Sequence, residues 1–382
     1  MGSKDDFLSA QPASADKTVI VGKHYPAIDG MRGFACAMVL WFHSSFFSYV
    51  INQDVPTIYY GFSMLGQAGV DVFFVLSGFL ITGILMDTAH DKDVIKKFYI
   101  RRSLRIFPLY YGVLFVFAVC LLISSQGDML KDIVTYVFYL QNFSLEHRLD
   151  VFQYLNHTWS LAVEEQFYLV WPILFISVYK KSVKSAIMLC IGMFLLSVLL
   201  RFTLMEMGRG KIAYTLVLSH LDGLAIGACL SLLFHYHRDM LCKYIPVIKV
   251  LTVFLCGVAI LGFFVSSDLS SLIIGTQTLL MSLLFGCILA LMIMGKESSI
   301  FNKFFSLAFL RHIGKISYGL YVFHSPIMNF MGYRLYEYQL GYWSNHLLLL
   351  CIGGGVAYIM SLISFYAFEK PILKLKYKWA PN

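Results

Sequence analysis

Charge is what this sequence has least of. Of its 382 residues only 14% are Asp, Glu, Lys or Arg, against roughly 25% in an ordinary soluble domain. With 58% hydrophobic residues, the chain cannot cover a folded core with a polar coat. Its apolar runs, among them 104–124, 247–265 and 271–294, each supply the roughly 20 residues that cross a bilayer core. Three further absences narrow the function. None of the eight cysteines forms a Cys-x-x-Cys pair, and most lie inside apolar runs as small hydrophobes, which leaves no support for a zinc site or a disulfide framework. No glycine-rich phosphate loop is present, which excludes a P-loop or Rossmann nucleotide site. The formal charge of +8 lies in short basic clusters between apolar runs, a loop pattern rather than a nucleic-acid footprint.

What is there reads as an all-α, polytopic membrane protein of about ten transmembrane helices. The spans fall at 28–50, 61–87, 104–124, 158–179, 184–204, 213–235, 247–265, 271–294, 313–333 and 344–370. Residues 1–25 are polar, contain no signal-peptide apolar region and read as a disordered cytoplasmic tail. Residues 26–371 form one transmembrane domain, and 372–382 a basic cytoplasmic tail. With both termini inside, about 24 Lys and Arg fall on or near cytoplasmic segments and about 6 outside, as the positive-inside rule requires. The connection 125–157 carries Tyr136, Phe138, Tyr139, Phe143 and Phe152. It is too aromatic for a plain linker, and a short interfacial helix and a re-entrant segment both fit it. Gly223 and Gly227 form a pair of the GxxxG kind, which leaves the oligomeric state open.

An ionisable side chain at membrane depth is costly unless it is paired or faces a wet cavity, so each one is a functional candidate. The first span, IDGMRGFACAMVLWFH, holds Asp29, Arg32 and His43. Arg32 and His43 are eleven residues apart, hence on one face and about 16 Å apart along the axis. In GVDVFFVLSGFLIT, Asp71 needs a partner, while Ser77 and Gly78 suit close helix packing. Arg102 and Arg105, in FYIRRSLRIFPLYY leading into the third span, share a helix face and suit the phosphates of a nucleotide-like ligand; topological arginines touching lipid headgroups are the plainer reading. NHTWSLAVEEQFYLVWP carries His157 at its mouth and Glu164 and Glu165 inside. Two adjacent acids there are hard to explain by packing alone. SHLDGLAIG adds His220 and Asp222, and ISYGLYVFHSP adds His324.

Taken together and in order, IDGMRGFACAMVLWFH, GVDVFFVLSGFLIT, RRSLRIFPLYY, HTWSLAVEEQFYLVWP and ISYGLYVFHSPI resemble the acyltransferase-3 family of membrane acyltransferases over about 24–370. The resemblance implies a ten-helix enzyme of the bacterial inner membrane that takes acetyl or another short acyl group from cytoplasmic acyl-CoA. It implies a carbohydrate acceptor at the cell surface, such as O-antigen or exopolysaccharide, and no metal. The family's basic residue, ten residues, then histidine falls on Arg32 and His43. Its Arg-x-x-Arg falls on Arg102 and Arg105, and its acidic motif on Glu164 and Glu165. Some members carry a fused extracytoplasmic esterase-like domain. None is found in these residues, which turns expectation toward a stand-alone enzyme and away from peptidoglycan and two-stage transfer.

The implied roles are catalysis by His43, as general base or acyl carrier, with Arg32, Glu164 and Glu165 orienting the site. Arg102 and Arg105 would hold the acetyl-CoA phosphates, with Asp29, Asp71, His157, Asp222 and His324 as substrate contacts or structural support. The rival readings are a transporter or flippase of a glycan or lipid-linked sugar, which the missing inverted repeat disfavours, and a non-catalytic membrane module.

Overall fold

A computed structural model describes residues 25–51, 55, 57–124, 130–144, 154–265 and 271–381. Among them every regular element is helical. The proposed N-terminal tail, apart from Tyr25, and Phe152 of the aromatic connection lie outside the described residues.

Among the described residues, eight helical stretches are long and apolar enough to cross a membrane: Pro26–Ile51, Gly61–Asp87, Val94–Ile123, Asn156–Tyr179, Val183–Glu206, Arg238–Gly262, Gly275–Met294 and Tyr342–Trp379. Several present apolar side chains outward. On helix Arg238–Val265, Val250, Val253, Phe254 and Leu261 are largely exposed, as is Leu199 on Val183–Glu206. Bare apolar helix surface of this kind is stable only against lipid, where the helix satisfies its own backbone groups. The chain therefore has an all-α, polytopic membrane fold.

Two of the ten expected spans fall short of those criteria, for a physical reason. We number the helices α1 (Pro26–Ile51), α2 (Thr57–Met64), α3 (Gly69–Asp87), α4 (Val94–Ile123), α5 (Leu130–Val137), α6 (Gln141–Ser144), α7 (Trp159–Tyr179), α8 (Val183–Glu206), α9 (Gly210–Thr215), α10 (Leu221–Tyr236), α11 (Arg238–Val265), α12 (Ser271–Met294), α13 (Ile300–Phe305), α14 (Ala308–Tyr336), α15 (Tyr342–Leu348), α16 (Gly354–Ser364), α17 (Lys370–Leu373) and α18 (Lys376–Trp379). The expected span 213–235 is α9, a turn carrying His220, and the 16-residue α10. Its neighbours bury α10 along most of its length. The expected span 313–333 lies within α14, whose Ser317, His324 and Ser325 are buried among other helices. A helix surrounded by protein escapes the length and hydropathy that lipid imposes.

Small residues set how closely these central helices cross. A Cβ on Gly227 of α10 would lie 2.0 Å from the Val75 carbonyl oxygen of α3, and one on Gly78 of α3 would lie 2.0 Å from the Leu224 carbonyl oxygen. The backbones thus touch reciprocally, and Gly227 packs within the chain. Gly227→Ala is expected to cost about 1–3 kcal/mol by overpacking, read as a lower thermal midpoint in detergent. Gly257→Ala on α11, with nothing within 4 Å of the added Cβ, should leave the midpoint unchanged or raise it. Equal midpoints for wild type and Gly227→Ala would refute the close crossing.

Other boundaries differ from expectation where local chemistry intervenes. Arg101, Arg102 and Arg105 lie on α4, which starts ten residues before the apolar run; arginine is a good helix former. The aromatic connection contains α5 and α6, with Tyr139 stacked on Tyr110 at 4.4 Å between ring centres. The last span continues through two π turns, Leu349–Gly353 and Phe365–Glu369, into α17 and α18. The expected C-terminal tail is held there by Arg101, whose Nε and Nη2 donate to the Ala380 carbonyl at 3.1 and 2.8 Å.

Candidate functional site

Three cavities follow one another between α1, α3, α4, α7 and α14. The first, about 460 Å³, opens beside the α3–α4 turn. Lys97, Arg101, Arg102, Arg105, Lys315 and Lys376 line it, against the acids Asp87, Asp91 and Glu369. Six cations facing three carboxylates make an anion-attracting mouth. In that turn a 2.6 Å hydrogen bond from Lys97 holds the Asp91 carboxyl below its usual range.

The second cavity is a neck of about 70 Å³ that shares Arg102, Arg105 and Tyr318 with the first. Arg32 and both Glu164 and Glu165 also line it, so three guanidiniums meet two carboxylates. The two acids are differently placed. Glu164 Oε1 accepts from Ser77 Oγ at 2.7 Å, and Ser77 Oγ lies 2.7 Å from the Tyr168 hydroxyl. The Arg102 guanidinium lies over the Tyr168 ring, 5.1 Å from its centre, a favourable cation–π contact. Glu165 instead acts on the tyrosine side, with Tyr110, Tyr139 and Tyr318 in its electrostatic reach. Ser77, expected as a packing residue, is therefore part of the polar network.

The third cavity, about 840 Å³, shares Val70 and Tyr321 with the neck and is lined by His43 and His157. The unbroken α1 carries Arg32 on the neck and His43 on this chamber. Three imidazoles converge here: His43 and His324 ring centres are 4.8 Å apart, His157 and His324 5.1 Å, and His43 and His157 6.4 Å.

Hydrogen bonding assigns the tautomers. His324 Nδ1 lies 2.6 Å from the Tyr321 carbonyl, and a carbonyl only accepts, so Nδ1 carries the proton and a neutral His324 accepts at Nε2. That Nε2 lies 3.2 Å from His43 Nδ1, which also faces the Val39 carbonyl at 3.0 Å. Both partners accept, so His43 Nδ1–H donates and its lone pair resides on Nε2.

Asp71 and Asp222 lie apart from the neck. Asp222 Oδ1 pairs with Arg201 Nη2 at 2.6 Å, both side chains about 1% exposed. Asp222 thus makes a helix–helix ion pair with Arg201, which also bears on Asp71 electrostatically. Asp29 sits in the first turn of α1, and its backbone is in close contact with Gly314 of α14. Sequence reading passed over Arg201, Glu369, Lys315 and Tyr321. For Arg201 the signal was present, an arginine inside the apolar run 184–204. Lys315 and Glu369 carried the same signal near the ends of the expected spans 313–333 and 344–370, whereas nothing local marks Tyr321, whose partners His157 and Ser160 come from a remote segment.

The fold and the cavities define a polytopic helical membrane protein with a charged neck leading to a histidine chamber. The chain belongs to the acyltransferase-3 family, whose model, described as an acyltransferase domain, matches residues 25–365. It is 32% identical over 380 residues to the peptidoglycan O-acetyltransferase OatA of Listeria monocytogenes, covering 92% of this chain and 56% of that protein. It is 30% identical over 329 residues to the putative O-acetyltransferase SACOL0978 of Staphylococcus aureus, covering 81% and 51%. With the O-acetyltransferase OatA of S. aureus it shares 28% identity over 375 residues, covering 93% and 58%. The chain thus spans about half the length of these curated relatives. No solved structure matches it.

Proposed function

We propose that this chain is a membrane O-acetyltransferase that moves an acetyl group from acetyl-CoA, entering at the cytoplasmic face, to a hydroxyl of a cell-envelope carbohydrate. The observation that carries this reading is the row of three cavities from a cation-lined mouth to the lone-pair nitrogen of His43. Coenzyme A is an anionic nucleotide on a long, thin, thiol-ended arm. Its phosphates suit the mouth, where Arg102 and Arg105 offer bidentate donors and Arg101, Lys315 and Lys376 add charge. Its arm suits the neck, and the roughly 16 Å rise from Arg32 to His43 sets the reach required. The wide chamber beyond suits a bulky acceptor.

In this reading His43 Nε2 takes the proton of the acceptor hydroxyl as its oxygen attacks the thioester carbonyl. The carbon–sulfur bond then breaks, and the coenzyme A thiolate leaves and is protonated by the imidazolium. Arg32 and Glu164 orient the donor in the neck. His324 is a positioning residue that fixes the tautomer of His43. The names of the relatives support an acetyl group and a carbohydrate, and the Listeria protein's name returns peptidoglycan to the acceptors worth testing. Cytoplasmic termini and the bacterial plasma membrane belong to the same reading, as does the basic mouth facing the cytoplasm.

The test uses purified protein in vesicles, labelled acetyl-CoA and a panel of saccharides that includes peptidoglycan fragments. Label should pass to at least one saccharide with stoichiometric release of coenzyme A. The double variant Arg102→Gln/Arg105→Gln should raise KM for acetyl-CoA by about 10- to 100-fold, as expected for losing charge-assisted hydrogen bonds of 1.5–3 kcal/mol, with a smaller change in KM for the saccharide. Saccharide movement across the vesicle without thioester cleavage would instead favour a flippase.

A further inference from the structure

A fourth cavity opens off the histidine chamber. It is small, about 30 Å³, and shares Gln67, Val70, Trp159 and Tyr214 with the chamber. Asp71, His220, Gln277 and Thr278 add polar lining beside Gln67. Two buried polar atoms there lack partners among the described residues: Nδ1 of His220 and Nε2 of Gln277. His220 is 3% exposed.

Their chemistry is complementary. His220 Nε2 lies 2.6 Å from the Tyr214 carbonyl, which can only accept, so Nε2 carries the proton and Nδ1 of the neutral ring is an acceptor awaiting a donor. The Gln277 amide nitrogen is a donor awaiting an acceptor. A buried polar atom without a partner costs about 1–3 kcal/mol, so the native protein in use is expected to satisfy both. A hydroxyl does so with a single oxygen, donating to one and accepting from the other. The volume holds roughly one or two groups the size of water. Asp71 adds an acceptor at the same place. At the opening stand two aromatic faces, Trp159 and Tyr214, with ring centres 4.9 Å apart, flat apolar surface of the kind that covers the C–H face of a sugar ring.

We propose that this side cavity is the acceptor-specificity subsite: a carbohydrate lies in the chamber against Trp159 and Tyr214 and inserts one hydroxyl, not the one that is acetylated, between His220, Gln277 and Asp71. The proposal rests on the acetyl-transfer reading and adds to it how the acceptor is chosen and held. A site built around a hydroxyl discriminates strongly against the analogue lacking it, because its own polar groups are then left unpaired. Saccharides able to place one free hydroxyl in the side cavity while another faces His43 are therefore preferred.

The experiment compares wild type, Gln277→Leu and His220→Phe in vesicles, with the best saccharide of the panel and its series of single-deoxy analogues. Acetyl-CoA binding, measured by titration calorimetry, checks that each variant is folded. In wild type one deoxy analogue besides that lacking the acetylated hydroxyl should lose at least 100-fold in kcat/KM. In Gln277→Leu the saccharide itself should show KM raised at least tenfold with acetyl-CoA affinity unchanged, and the penalty for that deoxy analogue should shrink to under tenfold. Variants that keep wild-type KM and the full deoxy penalty would overturn the subsite while leaving the transferase reading intact. A wild type that transfers to no saccharide would overturn both. Should His220→Phe fail to bind acetyl-CoA, Gln277→Leu, whose side chain is only partly buried, decides the matter.

Discussion

Replacing His43 by Ala is expected to lower kcat for acetyl transfer by about 10²–10⁴, the range over which a positioned general base acts, while acetyl-CoA still binds. The two effects separate because the donor's charge is met at the mouth and neck, more than two helical turns of α1 away from His43. The hydrogen-bond chain makes a finer prediction. His324→Ala removes the acceptor facing His43 Nδ1 but leaves the Val39 carbonyl in place, so kcat should fall less than in His43→Ala and KM for acetyl-CoA should hold. His324→Gln, whose amide oxygen also accepts a hydrogen bond, should recover part of the loss. Full activity in His43→Ala would reduce His43 to a packing residue and end the proposed mechanism. If His43 Nε2 carries the acyl group instead of the proton, initial-rate kinetics become ping-pong and an acetylated protein is trapped before acceptor is added.

Arg201→Met is expected to destabilise the fold by about 3–5 kcal/mol, the cost of leaving one member of a buried ion pair uncompensated. The guanidinium connects three helices. Its Nη2 meets Asp222 of α10, its Nε donates to the Ser219 carbonyl at 2.9 Å, as does Nη2, and its Nη1 donates to the Gly275 carbonyl of α12. Ser197, one turn earlier on α8, adds a bond to Asp222 Oδ1 at 3.3 Å. Removing Arg201 strands the Asp222 carboxylate beside Asp71. The double variant Arg201→Met/Asp222→Leu takes away both charges and should recover much of the loss, since apolar replacements of buried pairs are often nearly neutral. Thermal midpoints and the monodisperse fraction in detergent read all three proteins. An Arg201→Met protein as stable as wild type would show that the pair is not what fastens α8 to α10. Recovery in the double variant would locate the cost in the unpaired charge rather than in lost volume.

The sequence by itself determined the class of fold and the charged residues worth examining. Scarcity of charge and repeated apolar runs require lipid as solvent, and lipid admits helices whose backbone groups are satisfied internally. The same solvent penalises buried charge, which is why Arg32, His43, Asp71, Glu164, Glu165 and Asp222 stood out without any structure. The eleven-residue spacing of Arg32 and His43 was legible because helix geometry is local. Only the tertiary structure decided which of these residues meet. His43, His157 and His324 come from three remote segments and converge through packing that no local pattern encodes. The break at 216–220 that brings His220 beside Tyr214 lay inside what read as one continuous span. Asp71 and Asp222 looked alike in sequence, yet Arg201 pairs directly with Asp222, and Asp71 lines a cavity. The two spans that fall short do so differently: α10 is apolar but only 16 residues long, whereas α14 is long but less apolar, and protein neighbours bury much of each. Solvent fixed the type of element, while side-chain packing at close backbone crossings such as Gly78 and Gly227 fixed which elements became neighbours and therefore where the site lies.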